Sequence, residues 1–236
     1  MSLKEQHSRT AMLLGEAGVS RLQRAHVAVF GIGGVGGYVV EALARAGVGT
    51  LSLFDADTVS ESNLNRQIIA LHSTLGLAKV EAAATRLRDI NPDIVVHTHK
   101  VFYLPENADG FNLCAYDYVV DAVDTVVAKM ELIRRARAAR VPIICSMGTG
   151  NKLDPTAFRV TTIERTDTCP LARTVRNLCK KEGIRGVKVV YSTEQPHGTT
   201  LSDEHGRHAP GSISFVPAAA GLAIAGEVIR ELAEKK

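Results

Sequence analysis

Short apolar runs alternate with amphipathic stretches along most of the chain. HVAVF (26–30), TLSLF (50–54), IVVHTH (94–99), YDYVVDAVD (116–124) and PIICS (142–146) read as strands. Residues 9–24, 39–46, about 77–90 and 125–139 carry helical spacing, with Gly47, Gly49 and Asn91-Pro92 as stop signals. The alternation predicts an α/β fold, a Rossmann-like, doubly wound and mostly parallel sheet. The last third differs. It predicts a strand FRVTTI (158–163), a helix near 170–182, a strand VKVVYS (187–192) and a final helix over 217–233. A Gly/His-rich stretch, 195–211, reads as a mobile loop. We expect one domain over 1–236: a nucleotide-binding part (1–150) and a C-terminal elaboration (151–236) on the same sheet.

HVAVF runs into GIGGVGGY (31–38), where Gly31, Gly33 and Gly36 fit G-x-G-x-x-G between a strand and a helix. The spacing assigns Gly31 to a tight turn, Gly33 to close phosphate approach and Gly36 to helix–strand packing. The helix start supplies free N–H groups and a positive dipole end. By itself the loop predicts phosphate binding and leaves the nucleotide open. Asp55 ends the second strand, 24 residues after Gly31, where a carboxylate can bind ribose hydroxyls; Asp57 follows. An acid at a strand end is otherwise only a turn former.

SNLNRQ (62–67) adds Asn63, Asn65, Arg66 and Gln67 in a polar loop; Lys79 opens the next helix and Asp124 ends another strand. Each alone reads as a surface charge or cap. Together, at one sheet edge, they suit a reaction on phosphates, where cations stabilise developing charge and a carboxylate holds a metal. They favour ATP over a nicotinamide dinucleotide.

Composition changes this picture little. At 45% hydrophobic and 22% charged residues, a normal core can form. The start MSLKEQHSRT is polar, and the apolar run 215–225 is too short to span a bilayer, so we expect a cytoplasmic protein without a membrane partner. Cys114, Cys145, Cys169 and Cys179 form no C-x-x-C pair, and His97 and His99 suggest no metal cluster. Net charge is +3, but residues 159–188 hold eight Lys/Arg against three acids. This local excess suits an anionic macromolecule, or is merely a solvated face. On the helix from Pro170, Leu171, Val175 and Leu178 form an apolar stripe, and Arg173, Arg176 and Lys180 a basic one.

The segment 31–67, with Lys79 and Asp124, resembles the ubiquitin-activating-enzyme-like adenylating superfamily that includes ThiF and MoeB. ALARAGVG, NLNRQIIALHSTLG, CPLARTVRNLCKKEGI and KVVYSTEQP resemble one branch of it, the tRNA threonylcarbamoyladenosine dehydratases. The resemblance implies dimeric enzymes that bind ATP and Mg2+ and adenylate a substrate carboxylate. In this branch the threonyl carboxylate on a tRNA adenosine is activated and cyclised with net loss of water. The implied ATP-binding residues are Gly31, Gly33, Gly34, Gly36, Asp55, Asp57, Asn63, Arg66, Gln67 and Lys79. The implied catalytic residues are Arg66, Lys79, Asp124 as magnesium ligand, and Arg9, reaching the phosphates across a homodimer interface. Arg9 is otherwise an ordinary basic residue of the first helix. Arg173, Arg176 and Lys180 would bind tRNA.

The resemblance also admits a cysteine-desulfurase or sulfur-acceptor partner. Cys169, ahead of a helix, is a candidate thiol, though cyclisation needs none; Cys114, Cys145 and Cys179 read as buried hydrophobes. The alternative is an adenylyltransferase for a ubiquitin-like sulfur carrier ending in Gly-Gly, against which the missing zinc ligands count. An NAD(P) oxidoreductase and a binding module without chemistry fit less of the residue set. The turn SMGTGNKLDP (146–155) reads as a plain glycine turn rather than a cation site.

Overall fold

Seven strands form one sheet: β1 (His26–Phe30), β2 (Thr50–Phe54), β3 (Val95–His99), β4 (Tyr118–Asp121), β5 (Ile143–Ser146), β6 (Phe158–Thr162) and β7 (Lys188–Ser192). A computed structural model describes residues 5–198, 201–202 and 208–234. The strand order is β3-β2-β1-β4-β5-β7-β6. All neighbours run parallel except β6, which is antiparallel to β7. The chain reverses direction across the sheet between β1 and β4, and such switch points open a crevice at the carboxyl ends of the strands.

The register sets that crevice. Phe30 lies opposite both Phe54 and Asp121, so β1, β2 and β4 end level with one another. The residues that follow them, Gly31, Asp55 and Ala122, therefore share one edge.

Helices α1 (Ser8–Arg24), α2 (Gly36–Ala46), α3 (Lys79–Ile90), α4 (Val126–Ala139), α5 (Pro170–Lys181) and α6 (Phe215–Glu234) cover the sheet. Helices α2, α3 and α6 share the core on one face; α4 and α5 pack on the other. Val216, Ala220, Ile224, Val228 and Leu232 recur every four residues along α6 and are all buried. The C-terminal elaboration thus extends the same sheet and supplies the longest helix of the first face.

Three expectations change. Helix α1 is broken at Gly15 (φ 70°, ψ 160°), so only its second half docks, through Gly18, Val19 and Leu22. The first half leaves Met12 and Leu13 86% and 88% exposed. The strand expected over 116–124 ends at Asp121, so Asp124 lies in the loop before α4. Cys114 is exposed, not buried. The mobile loop expected over 195–211 falls partly on 199–200 and 203–207, outside the described residues; around them, Leu201–Ser202 pairs antiparallel with His208–Ala209. Among the described residues no helix is long and apolar enough to cross a membrane.

Candidate functional site

The glycine loop closes the end of β1. Gly31 has φ 88°, and a Cβ there would lie 2.6 Å from the Ala122 carbonyl oxygen. A Cβ on Gly36 would lie 1.8 Å from the Gly31 carbonyl oxygen, so only glycine lets α2 start this close to the strand. Asp55 fixes the loop: its Oδ2 accepts from the Ile32 N–H at 2.7 Å, and its Oδ1 from the Asp57 N–H at 2.9 Å. Gly33 and Gly34 line a cavity of about 750 Å³ at this edge. The start of α2 faces it as an anion-binding helix terminus does.

Polar side chains converge on the same cavity from several elements. Asp55, Asp57, Asn63, Arg66, Gln67, Lys79 and Asp124 all line it. Lys79, buried at the first position of α3, donates to Asp57 Oδ2 at 2.8 Å. Asn63 Oδ1 accepts from the Ser60 N–H, and its carbonyl accepts from the N–H groups of Arg66 and Gln67. This one-turn wrap presents Arg66 and Gln67 on the cavity side. Arg66 Nη1 donates to the Ser62 carbonyl (2.8 Å) and to Asn65 Oδ1 (2.9 Å). Asn65 donates to the Ser212 carbonyl, tying this loop to the segment that precedes α6. The buried Gln67 Oε1 has no hydrogen-bond partner, and an orphan buried amide on a cavity wall calls for a bound group. Asp124 is exposed to the cavity.

Two parts of the site escape the sequence pattern. The first is the ion pair beneath it. Lys129 Nζ donates to Asp121 Oδ2 at 2.6 Å and to the Ser146 carbonyl at 2.9 Å, with both side chains fully buried. Asp121 Oδ1 accepts from the Val123 N–H. One buried lysine thereby fastens the turn after β4, which carries Asp124, to the end of β5. Asp121 ends the strand VVD, and Lys129 follows eight residues later; that pairing was the only available clue.

The second is the cavity walls. Phe30 and Phe54 stack at 4.2 Å, with Tyr103 edge-on to Phe30 at 4.9 Å, and Val101–Leu104 complete this apolar end. Gly148–Gly150, Leu171, Pro210, Ser212 and Pro217 also line the cavity, with Pro217 against Gly34. The aromatic cluster VFYLP (101–105), following a strand, was the one visible sign of the first wall.

The remaining candidates lie elsewhere. Arg9 is exposed on the first half of α1 and does not line the cavity of its own chain. On α5, Ala172, Val175 and Cys179 are the buried stripe, while Leu171 and Leu178 only flank it. Arg173 and Lys180 are exposed. Arg176 is half-buried, and its Nη1 donates to Thr166 Oγ1 at 2.7 Å and to the Thr166 carbonyl, so it holds the loop before α5. Cys169 is buried behind Gly148. Burial, with Asp121 beside it, pushes the Cys145 thiol well up, and burial raises Cys179 to about 11. Among the described residues no three His, Cys, Asp or Glu side chains cluster to hold a metal. Magnesium needs no such cage, since it takes one or two carboxylates and fills its shell with phosphate oxygens and water. Asp124 fits that demand.

A model of the ThiF family matches residues 7–236. A tRNA threonylcarbamoyladenosine dehydratase of Bacillus subtilis (strain 168) is 41% identical, over 96% of this chain and 94% of that relative. One of Escherichia coli (strain K12) is 40% identical, over 81% and 74%. The crystal structure of E. coli tRNA N6-threonylcarbamoyladenosine dehydratase, TcdA, in complex with ATP superposes with a TM-score of 0.88 at 34% identity, covering 98% of this chain and 97% of that one. The chain belongs to the ThiF family, in the branch of the tRNA threonylcarbamoyladenosine dehydratases.

Proposed function

We propose that this protein uses ATP to cyclise threonylcarbamoyladenosine in tRNA, with net loss of water, through an acyl-adenylate. The observation that carries this is one cavity combining a phosphate-type glycine loop with Asn63, Arg66, Gln67, Lys79 and Asp124. Hydride transfer has no use for that set. The adenosine end is the aromatic wall, where Asp55, with lone pairs left beyond its two backbone bonds, accepts from ribose hydroxyls. The phosphates lie over Gly33 and Gly34. Arg66 and Lys79 turn to them, Lys79 exchanging Asp57 for phosphate, and Gln67 rotates its amide to donate.

In the first step a carboxylate oxygen attacks the α-phosphorus, and pyrophosphate leaves. In the second, a heteroatom of the same side group attacks the acyl carbon, its proton is lost, and AMP leaves. Adenylation is the enabling step, because a bare carboxylate oxygen is a poor leaving group. Cationic side chains stabilise the charge that builds on the phosphates. Magnesium held by Asp124 would add Lewis-acid stabilisation of the same oxygens. Arg9 would act in the partner's cavity of a homodimer, since it does not line its own. Arg173 and Lys180 would bind tRNA phosphates.

The test is isotopic. With 18O in the threonyl carboxylate, AMP must acquire label. Unlabelled AMP alongside cyclised product would overturn the adenylate route.

A further inference from the structure

Helices α4 and α5 both start at the cavity and run away from it. Asp124, Thr125 and Ala128 at the start of α4, and Leu171 at the start of α5, line the cavity. Their far ends are fastened together. Arg134 of α4 grips Glu182 with two bonds (2.6 and 2.7 Å), and Arg137 Nη1 donates to the Arg185 carbonyl at 2.9 Å. At 12 and 14 residues the pair extends about 20 Å from the site.

That far end is strongly basic. Arg137, Arg140, Lys180, Lys181 and Arg185 are all exposed there. Among the described acids nearby, Glu182 pairs with Arg134, Glu131 pairs with Arg134 and Arg135, and Glu164 accepts from the Gly186 N–H and feels Arg185. Part of this charge offsets the negative ends of the two helix dipoles. That accounts for Lys180 and Lys181 in the last turn of α5. Arg140, the C-cap of α4, also faces such an end, but Arg185 lies three residues past the C-cap of α5 and is left unaccounted for. In sequence these cations belong to separate helices some 40 residues apart; the fold makes them one patch.

We infer that the joined C-terminal ends of α4 and α5 form a second, remote contact for the RNA substrate. They grip the phosphates of a stem about 20 Å from the base being modified. This rests on the tRNA reading above. Duplex nucleic acid carries about one charge per 1.7 Å of axis, so a stem lying along these helices brings on the order of ten phosphates past them. Arg173, near the site, marks the start of that path. Cationic contacts to a regular backbone give affinity without sequence preference, as recognition of RNA by shape requires.

The test is the triple variant Arg140→Asn, Lys181→Gln, Arg185→Gln. Asn suits the left-handed backbone of Arg140 (φ 57°). Binding of full-length modified tRNA is measured across salt concentrations. Turnover is measured on that tRNA and on a short single-stranded oligonucleotide carrying the same modified adenosine. The expected result is a salt slope shallower by about two to three, at about 0.9 per lost contact, and kcat/KM at least about tenfold lower on tRNA. Turnover of the short oligonucleotide and ATP binding should stay at wild-type levels. An unchanged slope and affinity, with wild-type protein active on tRNA, would overturn this inference alone. Wild-type protein inert on the modified tRNA would overturn the tRNA reading and this inference with it. If the triple variant loses ATP binding, Lys181→Gln/Arg185→Gln decides by the same slope.

Discussion

Lys129 shows what one residue contributes to the site without touching it. Its ammonium is fully buried and joins Asp121 to the Ser146 carbonyl, so two loop-bearing strand ends are held by one side chain. Removing one partner leaves a buried charge uncompensated. Lys129→Met should therefore cost about 3–5 kcal/mol, while Lys129→Met/Asp121→Asn should recover most of it. Urea unfolding of the two variants checks this; a double variant as unstable as the single would contradict it. The opposite case is Cys169. Buried behind Gly148, it has packing contacts and no cavity exposure. Cys169→Ala should keep ATP-dependent turnover, and loss of turnover with intact folding would place the thiol in the chemistry. The placement of Gly31, Gly36, Asp55 and Lys79 at one sheet edge was legible in the sequence because glycine geometry and strand and helix ends set it. Lys129 was not, because a lysine in a helix reads as solvated until the fold buries it. Arg176 failed for a related reason: stripe arithmetic places it outward, but its side chain turns back to Thr166.

At the scale of elements, α2 and α3 are locked by Glu41. Burial alone would raise its pKa, but hydrogen bonds from Arg86 and Arg45 outweigh this and hold it below the usual carboxylate range. A depressed folded pKa gives stability that is present above the unfolded value, near 4.5, and is lost as pH falls through the folded one. Glu41→Gln should therefore destabilise by about 1–3 kcal/mol at neutral pH, and the difference from wild type should shrink in acid. Denaturant unfolding at neutral pH and near pH 3 checks this; a gap that widens in acid would contradict it. Most elements were visible as alternating runs, since parallel strands buried on both faces read as short apolar blocks. The break at Gly15 and the early end of β4 were not. A glycine within a helical pattern is ambiguous, and VVDAVD remains apolar beyond the last paired residue.

At the scale of the whole molecule, Met12 and Leu13 stand exposed on the same half-helix that carries Arg9. A homodimer would cover them and carry Arg9 toward a neighbouring cavity. Mixing Arg9→Ala and Lys79→Ala subunits tests this, because each mixed dimer regains one complete site. Random pairing predicts recovery to about a quarter of wild-type turnover; no recovery from subunits shown to exchange would rule out a shared site. The central claim is the reaction itself. Protein, ATP and magnesium are incubated with threonylcarbamoyl-modified tRNA, and the digested nucleosides are weighed. The account predicts a modified adenosine lighter by one water, formed only with ATP and in step with AMP. An unchanged nucleoside, with pyrophosphate exchange appearing only when a carrier protein ending in Gly-Gly is added, would contradict it.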